Sequence, residues 1–167
     1  MESIEIVGVV GAGTMGMGIA EVAATHGQKV LVFDVNESFA HDAHQAMQAR
    51  LKKRRIRGKI TQEQADKISK SIRVIKSMTD FMACDMVVEA IVENLEVKKQ
   101  LFQKLEGIVS EKALLASNTS SLSITAIASC LKNPSRLFGL HLVNPAPVIT
   151  LVELIVGLQT DSLHIKT

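Results

Sequence analysis

The stretch Ile4-Glu5-Ile6-Val7-Gly8-Val9-Val10-Gly11-Ala12-Gly13-Thr14-Met15-Gly16 decides the fold. An apolar, β-branched run passes into a glycine loop, and the loop passes into a segment of helical periodicity. Glycines at this spacing carry information only when they link a first strand to a first helix, and here they do. Gly11 permits the tight turn, Gly13 lets the backbone approach a pyrophosphate, and Gly16 lets the helix pack close to the sheet. Gly18 extends the run of small contacts. The helix N-terminus adds oriented N–H groups that suit a phosphate. Gly11, Ala12, Gly13, Thr14, Met15 and Gly16 are therefore candidate dinucleotide-binding residues.

Asp34 closes the second apolar run, Lys29 to Val35, about 20 residues past the loop, where an acidic side chain accepts hydrogen bonds from an adenosine ribose. A carboxylate there repels a 2′-phosphate, which favours NAD over NADP. The competing reading is that Asp34 only caps the following turn.

Further strand-like runs follow at Ile72 to Ile75, Met86 to Ile91, Ala113 to Ser117 and Phe138 to Val143. Such nearly uninterrupted apolar runs predict strands buried on both faces. Met15 to His26, Ser38 to Arg55, Gln62 to Ser69 and Leu95 to Ile108 carry helical periodicity, and Gly27 stands where a helix-terminating glycine belongs. The alternation predicts a Rossmann-like α/β domain, a doubly wound and mostly parallel sheet. Near the end, Ile149 to Val156 follows Phe138 to Val143 across Asn144-Pro145-Ala146-Pro147, which predicts a closing antiparallel strand pair. Thr160 to Thr167 reads as the start of a helix.

The 167 residues suit one domain. No apolar run approaches the roughly 20 residues that span a bilayer, and the chain enters its first strand without a leader-like segment. A soluble, cytoplasmic protein with no membrane partner is the expectation. Cys84 and Cys130 sit in apolar surroundings and read as packed free thiols rather than a bridge or metal ligands. The net charge is only +2, and most of the excess lies between Arg50 and Lys59. With no Trp or Tyr for base stacking, a nucleic-acid partner is not expected.

Three more segments narrow the reading: Glu89-Ala90-Ile91-Val92-Glu93-Asn94, Ser117-Asn118-Thr119-Ser120-Ser121-Leu122 and Gly139-Leu140-His141-Leu142-Val143-Asn144-Pro145. With the glycine loop and Leu151-Val152-Glu153, they make the chain resemble the 3-hydroxyacyl-CoA dehydrogenase family over essentially its whole length. The likeness is greatest to bacterial members acting on hydroxybutyryl-CoA or on phenylacetate-pathway intermediates. It implies an NAD-binding domain, an acyl-CoA substrate and a homodimeric parent protein. It also implies a helical second domain, to which nothing in this sequence corresponds, so that turnover by this chain alone is expected to be poor.

The chemistry of the residues agrees. Oxidising a secondary alcohol needs a base at the hydroxyl, and imidazole takes and returns a proton near neutral pH, which suits His141. Glu153, on the next strand, is placed to accept from the other ring nitrogen. By resemblance, Ser120 donates to the substrate oxygen. Ala90, Glu93, Lys98, Asn118 and Asn144 fall at cofactor-contacting or loop-holding positions. Asn118 has a second reading as a helix cap. The family commonly has aromatic residues where this chain has Leu142 and Val143, and often a Lys where it has Thr150; these departures bear on pocket shape and acyl preference.

Lys52-Lys53-Arg54-Arg55 closes the second helix, where cations suit the helix C-terminus. The resemblance makes the run a candidate site for the phosphates of CoA; the alternative is a solvated helix face. Two rival functions remain open, an NAD-binding module with little turnover and a related dehydrogenase for a free hydroxy acid or sugar acid.

Overall fold

The computed structural model describes residues 3–149 and 151–165. The glycine-loop stretch forms strand β1 (Ile6–Val10) and helix α1 (Thr14–Thr25), followed by β2 (Lys29–Phe33), α2 (Glu37–Ile56), α3 (Gln62–Ser71) and β3 (Ile72–Val74). The second half runs through β4 (Met86–Glu89), α4 (Leu95–Glu106), β5 (Leu114–Ser117), α5 (Ile124–Ala128), β6 (Leu137–Leu142) and β7 (Val152–Ile155). The sheet order is β3-β2-β1-β4-β5-β6-β7. Neighbours from β3 to β6 are parallel, and β6–β7 is antiparallel. The expected doubly wound sheet and its closing antiparallel pair are both present.

Two cores flank the sheet because successive strand residues face opposite sides. Val7, Val9, Val88, Ala116 and Phe138 pack with α1, α2 and α3 through Met17, Ile19, Met47, Leu51 and Ile68. Val87, Leu115 and Leu137 pack on the other side with Phe102 and Leu105 of α4 and Ile124 and Ile127 of α5. Gly27 ends α1 with φ of 101°, and the bonds Gly27 N–H to Ala24 O and Gln28 N–H to Ala23 O close the helix, the pairing of a Schellman motif.

One expectation needs correction, and two further features lie outside what the sequence predicts. Val152 to Ile155 is an apolar strand but is exposed along its whole length; it is the outermost strand, and β6 is its one extensive packing partner among the described elements. Apolar composition follows a strand's intended surroundings, and those are set by topology, not by the strand. The helical start read at Thr160 to Thr167 is a short 3₁₀ turn, Ser162–Ile165, with 166 and 167 outside the described residues. Thr150 likewise lies outside them. Helix α5 was not anticipated, since its 5 residues are too few to establish a period.

Cys84 is buried and unbridged, and burial, helped by Asp85, pushes its thiol up to about 12. Among the described residues, no helix is long and apolar enough to cross a membrane.

Candidate active site

The order of the strands reverses at β1 and β4, and their C-terminal ends open the crevice where α/β sheets of this kind bind ligands. The glycine loop lies there. Gly11 has φ of 100°, and a Cβ on it would stand 2.5 Å from the carbonyl oxygen of Ala90. A Cβ on Gly16 would stand 1.8 Å from Gly11 O, so the close approach that Gly16 permits is chiefly to the loop itself. Gly13 differs, because a Cβ there would meet nothing within 4 Å. Its surroundings are open on the side where a pyrophosphate would lie.

The helix caps point the same way. Helices α2, α3, α4 and α5 are capped by the side chains of Asn36, Thr61, Asn94 and Ser123. At α1 the N-cap is Gly13, with no side-chain hydrogen bond and no acidic residue in the first turn. Its leading N–H groups, including those of Thr14 and Met15, thus lack the intrinsic capping given to every other α-helix among the described residues. Uncapped donors at a helix N-terminus suit an anion. These residues fit the diphosphate of a dinucleotide.

Asp34 is half-buried at the end of β2, and its two oxygens have different partners. Oδ2 accepts from Ala12 N at 2.8 Å and Oδ1 from Asn36 N at 2.9 Å. The carboxylate therefore makes the turn contact of the competing reading and also braces the glycine loop.

Across the crevice, the ends of β4 and β5 are joined by a charged network. Glu93 Oε1 accepts from the Thr119 hydroxyl, from Ser120 N at 3.2 Å and from Ser121 N at 3.3 Å. Glu93 Oε2 faces Lys98 Nζ at 3.3 Å. Burial alone would raise the Glu93 carboxyl, but the Thr119 hydrogen bond, the Lys98 charge and the Ser121 hydroxyl together hold it below its ordinary value. Lys98 is 1% exposed and its ammonium also pairs with Glu89, so it lies beneath the loops. Asn118 caps no helix; its Oδ1 accepts from Leu142 N at 3.0 Å and ties the end of β5 to β6.

His141 and Glu153 are direct partners in the β6–β7 register, with Nδ1 to Oε2 at 2.7 Å. The bond occupies one ring nitrogen and leaves Nε2 for a reacting proton. His141 follows Leu137 and Gly139 on the sheet face packed by α5, the face to which the loop bearing Ser120 descends. Pairing β5 with β6 at Ser117 and Gly139 puts that loop and His141 at the same end of neighbouring strands.

A cleft of about 890 Å³ runs from Ala12, Gly13 and Thr14 along α1 and α2 to the loop Asn144 to Val148. His141, Ser120 and Glu93 are outside its walls, so it extends the site away from the imidazole. The family model for the NAD-binding domain of 3-hydroxyacyl-CoA dehydrogenases matches residues 6–167. The chain belongs to the 3-hydroxyacyl-CoA dehydrogenase family. It is 47% identical over 160 residues to 3-hydroxyadipyl-CoA dehydrogenase of Escherichia coli K12, covering 96% of this chain and 34% of that one. It is 43% identical over 154 residues to a probable 3-hydroxybutyryl-CoA dehydrogenase of Deinococcus radiodurans, covering 92% and 55%. The crystal structure of 3-hydroxybutyryl-CoA dehydrogenase from Escherichia coli K12 superposes with a TM-score of 0.97 at 45% identity, covering 99% of this chain and 35% of that one. The chain thus spans about a third of one curated relative and about half of the other.

Within this NAD-binding domain of the dehydrogenase family, the run Lys52 to Arg55 divides between two faces. Lys53 and Arg54 line the cleft with Arg50, Arg57 and Lys59. Lys52 and Arg55 instead line a smaller pocket against α3, where Arg55 donates to Gln62. Positions three, four and seven apart on a helix share a face, so Arg50, Lys53, Arg54 and Arg57 form the stripe and Lys52 and Arg55 fall on the other side. Periodicity applied to α2 would have found it. Glu21, 2% exposed on α1, accepts from Arg54 Nη1 at 2.6 Å and Arg50 Nη2 at 3.3 Å. It gave no signal in the sequence, nor did Glu89 as the buried partner of Lys98.

Proposed function

We propose that this chain supplies the NAD site and the acid/base pair for the reversible oxidation of an (S)-3-hydroxyacyl-CoA to the 3-oxoacyl-CoA. The observation that carries the reading is the 2.7 Å bond between His141 Nδ1 and Glu153 Oε2. NAD held at the glycine loop and the N-terminus of α1 would supply the hydride acceptor for the hydroxyl-bearing carbon. His141 Nε2 takes the hydroxyl proton in that direction and returns it in the other. Glu153 fixes the tautomer and stabilises the imidazolium. The Ser120 hydroxyl donates to the substrate oxygen, and Glu93 holds the loop that presents it.

The glycine loop and the N-terminus of α1 hold the diphosphate, Asp34 the adenosine ribose, and Ala90, Glu93, Asn118 and Asn144 the approach to the nicotinamide half. The stripe Arg50, Lys53, Arg54 and Arg57, with Lys59, gives the cleft a cationic wall suited to the phosphates of CoA. The parent protein is read as a homodimer in the cytoplasm. The test is NADH consumption with acetoacetyl-CoA, by this chain alone and after the remaining length of a relative is supplied. Turnover that appears with the added portion and vanishes in His141→Ala supports the reading. No turnover in either preparation, or turnover indifferent to His141, sinks it.

A further inference from the structure

Glu89 is 0% exposed at the C-terminal end of β4, and every polar contact it makes leads toward the cofactor crevice. Its Oε1 accepts from Ile91 N at 2.7 Å and pairs with Lys98 Nζ; its Oε2 accepts from Ser117 Oγ at 2.6 Å. The Ser117 hydroxyl in turn accepts from Thr119 N at 3.3 Å. Lys98 also faces Glu93, and Glu93 gathers the N–H groups of Ser120 and Ser121. One buried carboxylate thus reaches the Ser117 to Ser121 segment by two routes, directly through Ser117 and through the Lys98–Glu93 pair.

A buried ammonium between two carboxylates is held by both. If one carboxylate loses its charge, the ammonium is drawn to the other. The other is Glu93, whose Oε1 holds the serine loop. We propose that Glu89 is a positioning residue for the nicotinamide half of the cofactor: it keeps Lys98 from pulling Glu93 off the Thr119–Ser121 loop. The adenosine half is read on the β2 side of the crevice with Asp34, and β1 stands between it and this network on β4 and β5. Glu89 therefore affects one half of the dinucleotide and not the other. The inference rests on the reading that the nicotinamide half lies over the ends of β4 and β5.

The experiment titrates the chain with NADH and with ADP-ribose, which lacks the nicotinamide, before and after Glu89→Gln. The amide keeps the volume; its one carbonyl oxygen can still accept from Ile91 N, and its N–H can donate to the Ser117 hydroxyl in place of the bond that Oε2 accepted. NADH affinity is expected to fall by about tenfold, the value of one hydrogen bond to a charged group, with ADP-ribose affinity unchanged. A purely structural role for Glu89 would lower both together or neither, and either result overturns the inference. Should Glu89→Gln fail to fold, Glu89→Asp keeps the buried charge but draws it back from Lys98 by one methylene, and the same NADH-to-ADP-ribose ratio decides: a fall supports the inference and a constant ratio overturns it. If the unmodified chain binds NADH no better than ADP-ribose, the placement of the nicotinamide half fails and takes the inference with it. If that preference exists and the variant retains it, the inference fails alone.

Discussion

The carboxylate of Asp34 accepts a hydrogen bond from the backbone N–H of Ala12 at 2.8 Å, so the acidic residue just past β2 braces the glycine loop that follows β1. The two are 22 residues apart in sequence but come together because β1 and β2 pair in parallel, with Val10 opposite Phe33. One side chain thereby supports both the turn after β2 and the glycine loop after β1.

Asp34→Ala should weaken NADH binding by about tenfold or more, since a hydrogen bond to a charged group contributes roughly 1.5–3 kcal/mol. NADPH binding should fall less, because the same change removes repulsion of a 2′-phosphate. Fluorescence titration with both nucleotides measures the ratio, and an unchanged preference would show that Asp34 braces the loop without reading the ribose.

Glu153→Gln removes the charge opposite Nδ1 and allows an amide N–H to face the ring. Turnover is expected to drop by about 100-fold, within the usual range for disabling a positioned acid/base, while NADH affinity stays within about twofold. Loss of NADH affinity in parallel with turnover would assign Glu153 to the stability of the β6–β7 pair instead.

Gly16→Ala places a Cβ where Gly11 O stands at 1.8 Å. Backbone on both sides leaves nothing flexible to yield, so overpacking should cost at least about 1–3 kcal/mol and lower Tm by several degrees, at about 2–4 °C per kcal/mol for a chain of this size. NADH binding should also be impaired. Gly13→Ala, with nothing within 4 Å of its Cβ, should leave Tm nearly unaltered and impair NADH binding. Equal Tm losses in the two variants would contradict the distinction between a packing glycine and a clearance glycine.

Glu93 is held below its ordinary carboxylate value in the folded chain. A depressed folded value means that ionised Glu93 adds stability above its unfolded value, near 4.5, and that this contribution is lost as pH falls through the folded value. As pH falls from neutral through that unfolded value and below it, Glu93→Gln should lose less Tm than the unmodified chain. Parallel Tm curves would place the acid sensitivity elsewhere.

What the sequence determined by itself is carried by short-range pattern. The step from Val10 to Gly11, the period of α1 and the turn between His141 and Glu153 all act over a few residues, where local sterics and hydrogen bonding have few alternatives. Two strands joined by Asn144 to Pro147 must pair antiparallel, so the His141–Glu153 contact could be anticipated before any coordinate was known. The tertiary structure alone decided which charges are buried and with whom. Ser117 and Glu89 are 28 residues apart, and Glu21 meets Arg54 across 33; neither partner selects the other by local preference. Helical geometry sorted Lys53 and Arg54 from Lys52 and Arg55, and sheet position left β7 exposed despite its apolar residues. A charge enters a core only where packed elements bring its counter-charge to it, and that arrangement exists only when the whole sheet has closed around it.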